Sequence, residues 1–145
     1  MRKNTLKKIS LYLFCSLLFL PLTSFAIENA NNIKVTKLIE TDSSWEKTKI
    51  IYPKGDTKIT ALLVEMQPQA KMQMHHHEVP SFGYILEGKI TVQSESGDIQ
   101  TFSKGDVVIE MINKKHSGVN PGDTVTKFIV FYMGTENLKN TIIEE

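Results

Sequence analysis

The chain has 145 residues, with 17 Lys and Arg against 16 Asp and Glu and a formal net charge of +1. The surplus sits at the N-terminus: without Arg2, Lys3, Lys7 and Lys8, 13 Lys face 16 acidic residues, a net of −3 with no Arg. That balance argues against nucleic acid, which clustered Lys and Arg hold, and removes the guanidinium fork that clamps phosphate or carboxylate substrates.

In chain order, the first segment reads as an export signal. A basic stretch from Met1 to Lys8 is followed by an apolar run from Ile9 to Leu22, and then by Ser24-Phe25-Ala26 with small residues at −3 and −1 of a cleavage site. The run is short for a spanning helix, which needs about 20 apolar residues, and Pro21 closes it. The expectation is a signal peptide over 1–26, export to a periplasm or to the outside, and no membrane attachment after cleavage. Cys15 leaves with the signal, so the mature chain has neither disulfide nor thiolate ligand, and packing must supply its stability.

From 27 onward, short β-prone runs alternate with turn chemistry. Residues 27–57 read as N-terminal strands and a turn that pack on the main domain. They include the alternating run Ile33–Ile39, one helical turn over Ser43–Lys47, and a short run Lys49–Tyr52 before Pro53-Lys54-Gly55-Asp56. Trp45 is expected as a lid or edge contact. Residues 58–133 carry the main series. A strand over Thr57–Met66 is followed by the loop Gln67–Ala70 and a histidine strand over Met72–His77. Phe82–Leu86 and Lys89–Gln93 flank Glu87-Gly88. Ile99–Phe102, Val107–Ile112, His116–Val119 and Thr124–Met133 follow. Such spacing, with Gly, Pro and Asp at the turns, predicts an all-β antiparallel sandwich or barrel. The tail 134–145 reads as either a short helix or an arm.

Chemistry concentrates in Lys71-Met-Gln-Met-His-His-His-Glu78. Three of the four histidines of the chain lie in this run, and the fourth is His116. Strand alternation puts His75 and His77 on one face and His76 on the other. Two imidazoles on one face, joined by a third from a distant strand, can hold a transition metal.

Two segments then read together: Gln69-x5-His75-x-His77-x3-Ser81-x6-Gly88 and Gly105-x5-Met111-x-Asn113-x2-His116-x3-Asn120, with 16 residues between Gly88 and Gly105. They resemble the two motifs of the cupin superfamily over roughly residues 58–133. In that family the first motif runs Gly, five residues, His-x-His, three or four residues, Glu, six residues, Gly. The second runs Gly, five residues, Pro-x-Gly, two residues, His, three residues, Asn. The resemblance implies a double-sheet jelly-roll barrel. It also implies a divalent metal (Fe, Mn, Ni, Zn or Cu) on His75, His77 and His116. Ser81 stands where the family's glutamate ligand is expected, and a serine hydroxyl is a poor ligand for such an ion. Gln69, Met111 and Asn113 depart at turn positions.

Glu110 lies inside the apolar run Val107–Ile112, where an unpaired buried acid is costly, and is a candidate fourth ligand or base. Gln73 shares strand parity with His75 and His77; with Ser81 and Tyr84 it is a candidate for the substrate pocket, although Tyr84 and Phe82 also suit plain strand packing. Glu78 is expected at a loop rim, and Asn120 as a turn former before Pro121-Gly122. Met72, Met74 and Met111 are expected as apolar filler, with a copper–thioether site as the sharper alternative. Cupins of this size include dioxygenases, isomerases and lyases, so the resemblance implies a small-molecule ligand without naming a reaction. Enzyme and non-catalytic binding module both stand, as does a homodimer.

Overall fold

The computed structural model describes residues 32–144. The expected signal peptide lies outside them. Among the described residues no helix is long and apolar enough to cross a membrane.

The described residues form nine strands: β1 (Thr57–Met66), β2 (His75–His76), β3 (Ser81–Glu87), β4 (Lys89–Ser94), β5 (Ile99–Ser103), β6 (Val107–Ile109), β7 (His116–Val119), β8 (Thr126–Thr135) and β9 (Ile142–Ile143). They make a four-stranded sheet ordered β1-β8-β3-β6 and a five-stranded sheet ordered β5-β4-β7-β2-β9. Every ladder between named strands is antiparallel. The two sheets are the jelly-roll architecture that the strand spacing and the motifs led one to expect.

Period-two alternation decides what enters the core. Along β8 the even positions Phe128, Val130 and Tyr132 are buried, and along β3 so are Ser81, Gly83 and Ile85. With Met66, Ile90, Val92 and Phe102 they fill the space between the sheets. Each fully buried apolar side chain of this size contributes about 1.5–3 kcal/mol. The odd positions of β8 and the even ones of β3 face outward, where Phe82 pairs with Phe131 and Tyr84 with Ile129.

The corner between the sheets is tightly specified. β3 and β4 belong to different sheets, and Gly88 alone separates them, at φ +71°. A Cβ there would lie 2.6 Å from Thr126 Oγ1 and 2.9 Å from the Val125 carbonyl oxygen. Thr126, fully buried, donates its hydroxyl to the Lys89 carbonyl at 2.7 Å and accepts from the Lys89 amide at 3.2 Å. Asn120 is a buried hub. Its Nδ2 donates to the carbonyls of Met66, Gln67 and Thr124, and its Oδ1 accepts from the Gly122 amide. It forms the expected turn and also ties the end of β1 to the β7–β8 connection.

Three local expectations differ from the structure. Residues 33–39 carry no strand ladder and are exposed. Ser43–Lys47 is a turn closed by a Ser43–Lys49 bridge, with Ser44 Oγ accepting the Thr48 amide, rather than a helical turn. In this turn Trp45 meets Phe102 edge to face, with ring centroids 6.5 Å apart, and its amide donates to the Ile109 carbonyl at 3.1 Å. Finally, the histidine strand is only two residues long, because Lys71 and Met72 bond singly to β7 before the regular ladder begins. The tail is an arm: β9 pairs with β2, setting Ile143 opposite His75 and Ile142 opposite His76.

Gly88→Ala is expected to lower unfolding free energy by about 2–4 kcal/mol, through the left-handed backbone and the overlap with Thr126. Asn120→Ala is expected to cost a similar amount, since it strands up to three buried carbonyls. Urea unfolding of each variant against the parent protein checks both values.

Candidate metal centre

His75 and His116 are direct partners across the β2–β7 ladder. His77 follows one step past β2, where it makes a parallel bridge to Ile112. The ring centroids are 4.5 Å apart for His75 and His116, 4.9 Å for His77 and His116, and 5.0 Å for His75 and His77. One nitrogen from each imidazole falls within 4.8 Å of the other two.

The tautomers follow from the backbone. His75 Nδ1 lies 2.7 Å from the Gln73 carbonyl, His77 Nδ1 2.7 Å from that of Asn140, and His116 Nδ1 2.9 Å from that of Lys114. A carbonyl only accepts, so each Nδ1 must carry the proton and donate it. Each Nε2 is then left with a bare lone pair. Burial favours the neutral form at all three. It lowers His75 and His116 below the usual imidazole value of 6.5 and takes His77 down to about 3, with the carbonyl hydrogen bonds opposing. Neutral rings with Nδ1 held by a carbonyl are the form in which histidine ligates metals. His116 Nε2 is buried and has no hydrogen-bond partner.

Glu110 directly follows β6, and its amide donates to the Ser81 carbonyl at 3.0 Å. Its Oε2 sits 3.4 Å from His116 Nε2, and that oxygen too is buried without a hydrogen bond. With His116 neutral the contact is not an ion pair. Burial pushes the Glu110 carboxyl up to about 7, with His75 pulling the other way.

The cavity beside the histidines is small, with a volume of about 50 Å³. Glu110, Met72 and Tyr132 line it with the three histidines, and the rest of its wall is largely aliphatic or aromatic. Burial raises the Tyr132 phenol, whose ring packs 5.4 Å from that of His77.

The other candidate residues fall elsewhere. His76 points to the opposite side, where its Nδ1 meets Glu144 Oε1 at 2.6 Å. Ser81 is buried on the inward face with an unpartnered hydroxyl. Tyr84 is half-buried on the outward face, as its even position in β3 dictates. Gln73 is exposed and borders an outer groove with Lys71, Met74 and Ser117; strand alternation does not reach it, because β2 begins only at His75. It serves the cluster through its carbonyl. Glu78 accepts the Lys139 amide at 2.6 Å, and Met111 is fully buried away from the cavity lining. The sequence reading overlooked Tyr132 and the Asn140 carbonyl. Alternation along β8 could have found Tyr132; nothing local marks Asn140, which lies 63 residues from His77.

These ionisations predict two opposed pH effects in chelator-treated protein. The lowered histidines bind fewer protons folded than unfolded. They therefore remove stability as pH falls below 6.5, and His77 continues to do so down to about 3. Glu110 is raised, so it removes stability as pH climbs from 4.5 to about 7. Glu110→Gln is expected to melt like the parent near pH 4.5 and to be more stable by about 3 kcal/mol at pH 8. Thermal melts across that range check it; a constant difference counts against the buried-acid account.

Comparison with known proteins adds the family. Residues 62–132 match the family model described as Cupin domain. No curated protein sequence matches the chain. Among solved structures, a sugar phosphate isomerase of the cupin superfamily from Silicibacter pomeroyi aligns with TM-score 0.51 and 22% identity, over 60% of this chain and 57% of that one. An uncharacterized conserved protein with a double-stranded β-helix domain from Klebsiella pneumoniae aligns with TM-score 0.53 and 14% identity, over 67% and 82%. The oxalate decarboxylase of Lactobacillus farciminis aligns with TM-score 0.51 and 26% identity, over 59% and 26%. The alignments thus span from about a quarter to about four fifths of these proteins' lengths, and just over half of the first. With the motif spacing, the family match and the double-sheet barrel in agreement, the chain belongs to the cupin superfamily.

Proposed function

We propose that this chain is an exported single-domain cupin that binds one divalent transition metal ion through His75, His77 and His116, and takes a small organic molecule into the adjoining cavity. One observation carries the metal reading: three carbonyls fix three neutral imidazoles so that their bare nitrogens converge. Lone pairs gathered this closely repel unless a cation stands among them. Borderline ions of the Fe, Mn, Ni, Zn and Cu series prefer such nitrogen donors. The basic stretch, apolar run and Ser24-Phe25-Ala26 support export to a periplasm or to the outside.

The cavity wall supports the ligand class. It is mostly apolar and the mature chain has no Arg, which favours a small, uncharged or weakly acidic compound over a phosphorylated one. When bound, a divalent ion supplies Lewis acidity and activates a ligated water or substrate oxygen. The chain's own groups do the rest. The aliphatic wall excludes water. Tyr132 keeps its phenol proton and can donate it to a ligand oxygen, because the Thr141 hydroxyl already points to the phenol oxygen from 3.4 Å. An isomerase and a decarboxylase share this fold, so the fold admits turnover without naming a reaction. The second reading is a non-catalytic capture module. It draws on Ser81, a weak donor where a ligand is expected, and on the scarcity of polar groups in the cavity.

The protein purified without a histidine tag is expected to carry about one ion per chain, and His75→Ala and His116→Ala to carry almost none. At an ion concentration 100-fold above its dissociation constant, binding adds about 2.7 kcal/mol of stability. A parent protein that is metal-free and melts unchanged with Zn²⁺, Mn²⁺, Fe²⁺ and Ni²⁺ overturns the metal reading. Oxygen uptake or substrate loss across a panel of phenolics and sugar derivatives then separates enzyme from binder.

A further inference from the structure

Ser81 and Glu110 are cross-strand neighbours. The β3–β6 ladder pairs Gly83 with Val108 and Phe82 with Ile109, and one step further brings Ser81 opposite Glu110. The Glu110 amide donates to the Ser81 carbonyl at 3.0 Å and continues the pairing past the formal end of β6. Ser81 shares inward parity with Gly83 and Ile85, and Glu110 shares it with Val108, so both side chains leave the same face of the sheet. Side chains opposed in this way have Cβ atoms about 4.5–5.5 Å apart. A carboxylate can therefore reach the same volume from either strand.

Among the described residues Ser81 Oγ, Glu110 Oε2 and His116 Nε2 are each buried without a hydrogen bond. The serine hydroxyl stops near its own backbone. The Glu110 carboxylate extends to 3.4 Å from the His116 nitrogen and lines the same cavity as all three imidazoles. A carboxyl oxygen facing a bare imidazole lone pair needs either a shared proton or a metal ion between the two. Two ligands bonded tetrahedrally to one ion at about 2.1 Å stand about 3.4 Å apart. No lysine answers Glu110: among the described residues its carboxylate is within ion-pair distance of His116 alone, which is neutral.

Resting on the three-histidine reading, we propose that Glu110 is the fourth protein ligand of that ion, its carboxylate having moved one strand over from position 81 to the facing strand. The site is then three neutral imidazoles and one carboxylate, which leaves a divalent ion with a net charge of +1 in place of +2 in an apolar surround. That smaller net charge lowers the desolvation cost of holding the ion there.

An exchange experiment tests the assignment. Zn²⁺ affinity is measured by chelator competition for the parent, Glu110→Ser, Ser81→Glu with Glu110→Ser, and His116→Ala, each checked for folding by circular dichroism. Glu110→Ser removes a buried acid, so the metal-free variant should fold at least as well as the parent. It is expected to bind Zn²⁺ at least tenfold more weakly, and the double variant is expected to recover to within about threefold of the parent. Co²⁺-loaded protein gives a second readout, since losing a carboxylate ligand changes the visible ligand-field bands. Parent-like affinity and unchanged Co²⁺ bands in Glu110→Ser overturn the fourth-ligand role while His116→Ala still reports the histidine site. A double variant as weak as Glu110→Ser overturns the exchange of positions. A parent protein with no Zn²⁺ affinity refutes the three-histidine reading itself.

Discussion

Three backbone carbonyls, those of Gln73, Lys114 and Asn140, decide what the histidine cluster can do. An imidazole is ambiguous until one nitrogen is committed. Each carbonyl commits Nδ1 as donor and so leaves Nε2 with a free lone pair. Two of the three come from the residue two positions before the histidine, so the local chain sets them. The third comes from the C-terminal arm. Side-chain carboxylates often do this work at metal sites, but here the main chain does it, and its orientation is fixed by strand pairing rather than by a rotamer.

The sheets supply the frame. The pairing of His75 with His116 sets one edge of the cluster, and the bridge from His77 to Ile112 sets another. Both depend on the corner at Gly88, where the chain leaves one sheet for the other, and on Asn120, which ties the end of β1 to the turn before β8. Two positions where the family motif has glycine, Gln69 and Asn113, keep the left-handed backbone at φ +63° and +55°. Asparagine tolerates that region; glutamine does so less readily, and it gains a hydrogen bond from its Nε2 to the Gly122 carbonyl at 2.9 Å.

Much of this was legible in the residues. Thr57–Met66 is the first strand to the residue, and the turn at Glu87-Gly88 separates the strands it was expected to separate. Alternation separated His76 from His75 and His77, and motif spacing supplied His116. The failures share a cause: a rule was carried past the structure that enforces it. Gln73 was assigned a face by a strand that does not extend to it. Ile33–Ile39 alternates, but a strand also needs a neighbour, and periodicity does not provide one. Tyr84 faces outward by its own parity in β3, which suits strand packing and not the pocket. Asn140 is invisible locally because its role exists only once β9 has paired.

The C-terminal arm has a consequence for timing. β2 has only two residues, and it lies between β7 and β9, both drawn from much later in the chain. Until residues 140–144 dock, His77 lacks the acceptor that orients it, and one side of β2 is open. All three imidazoles are oriented only once that arm has docked. The cluster is therefore complete only where the arm has closed, and a chain that unfolds this arm alone loses the acceptor that orients His77.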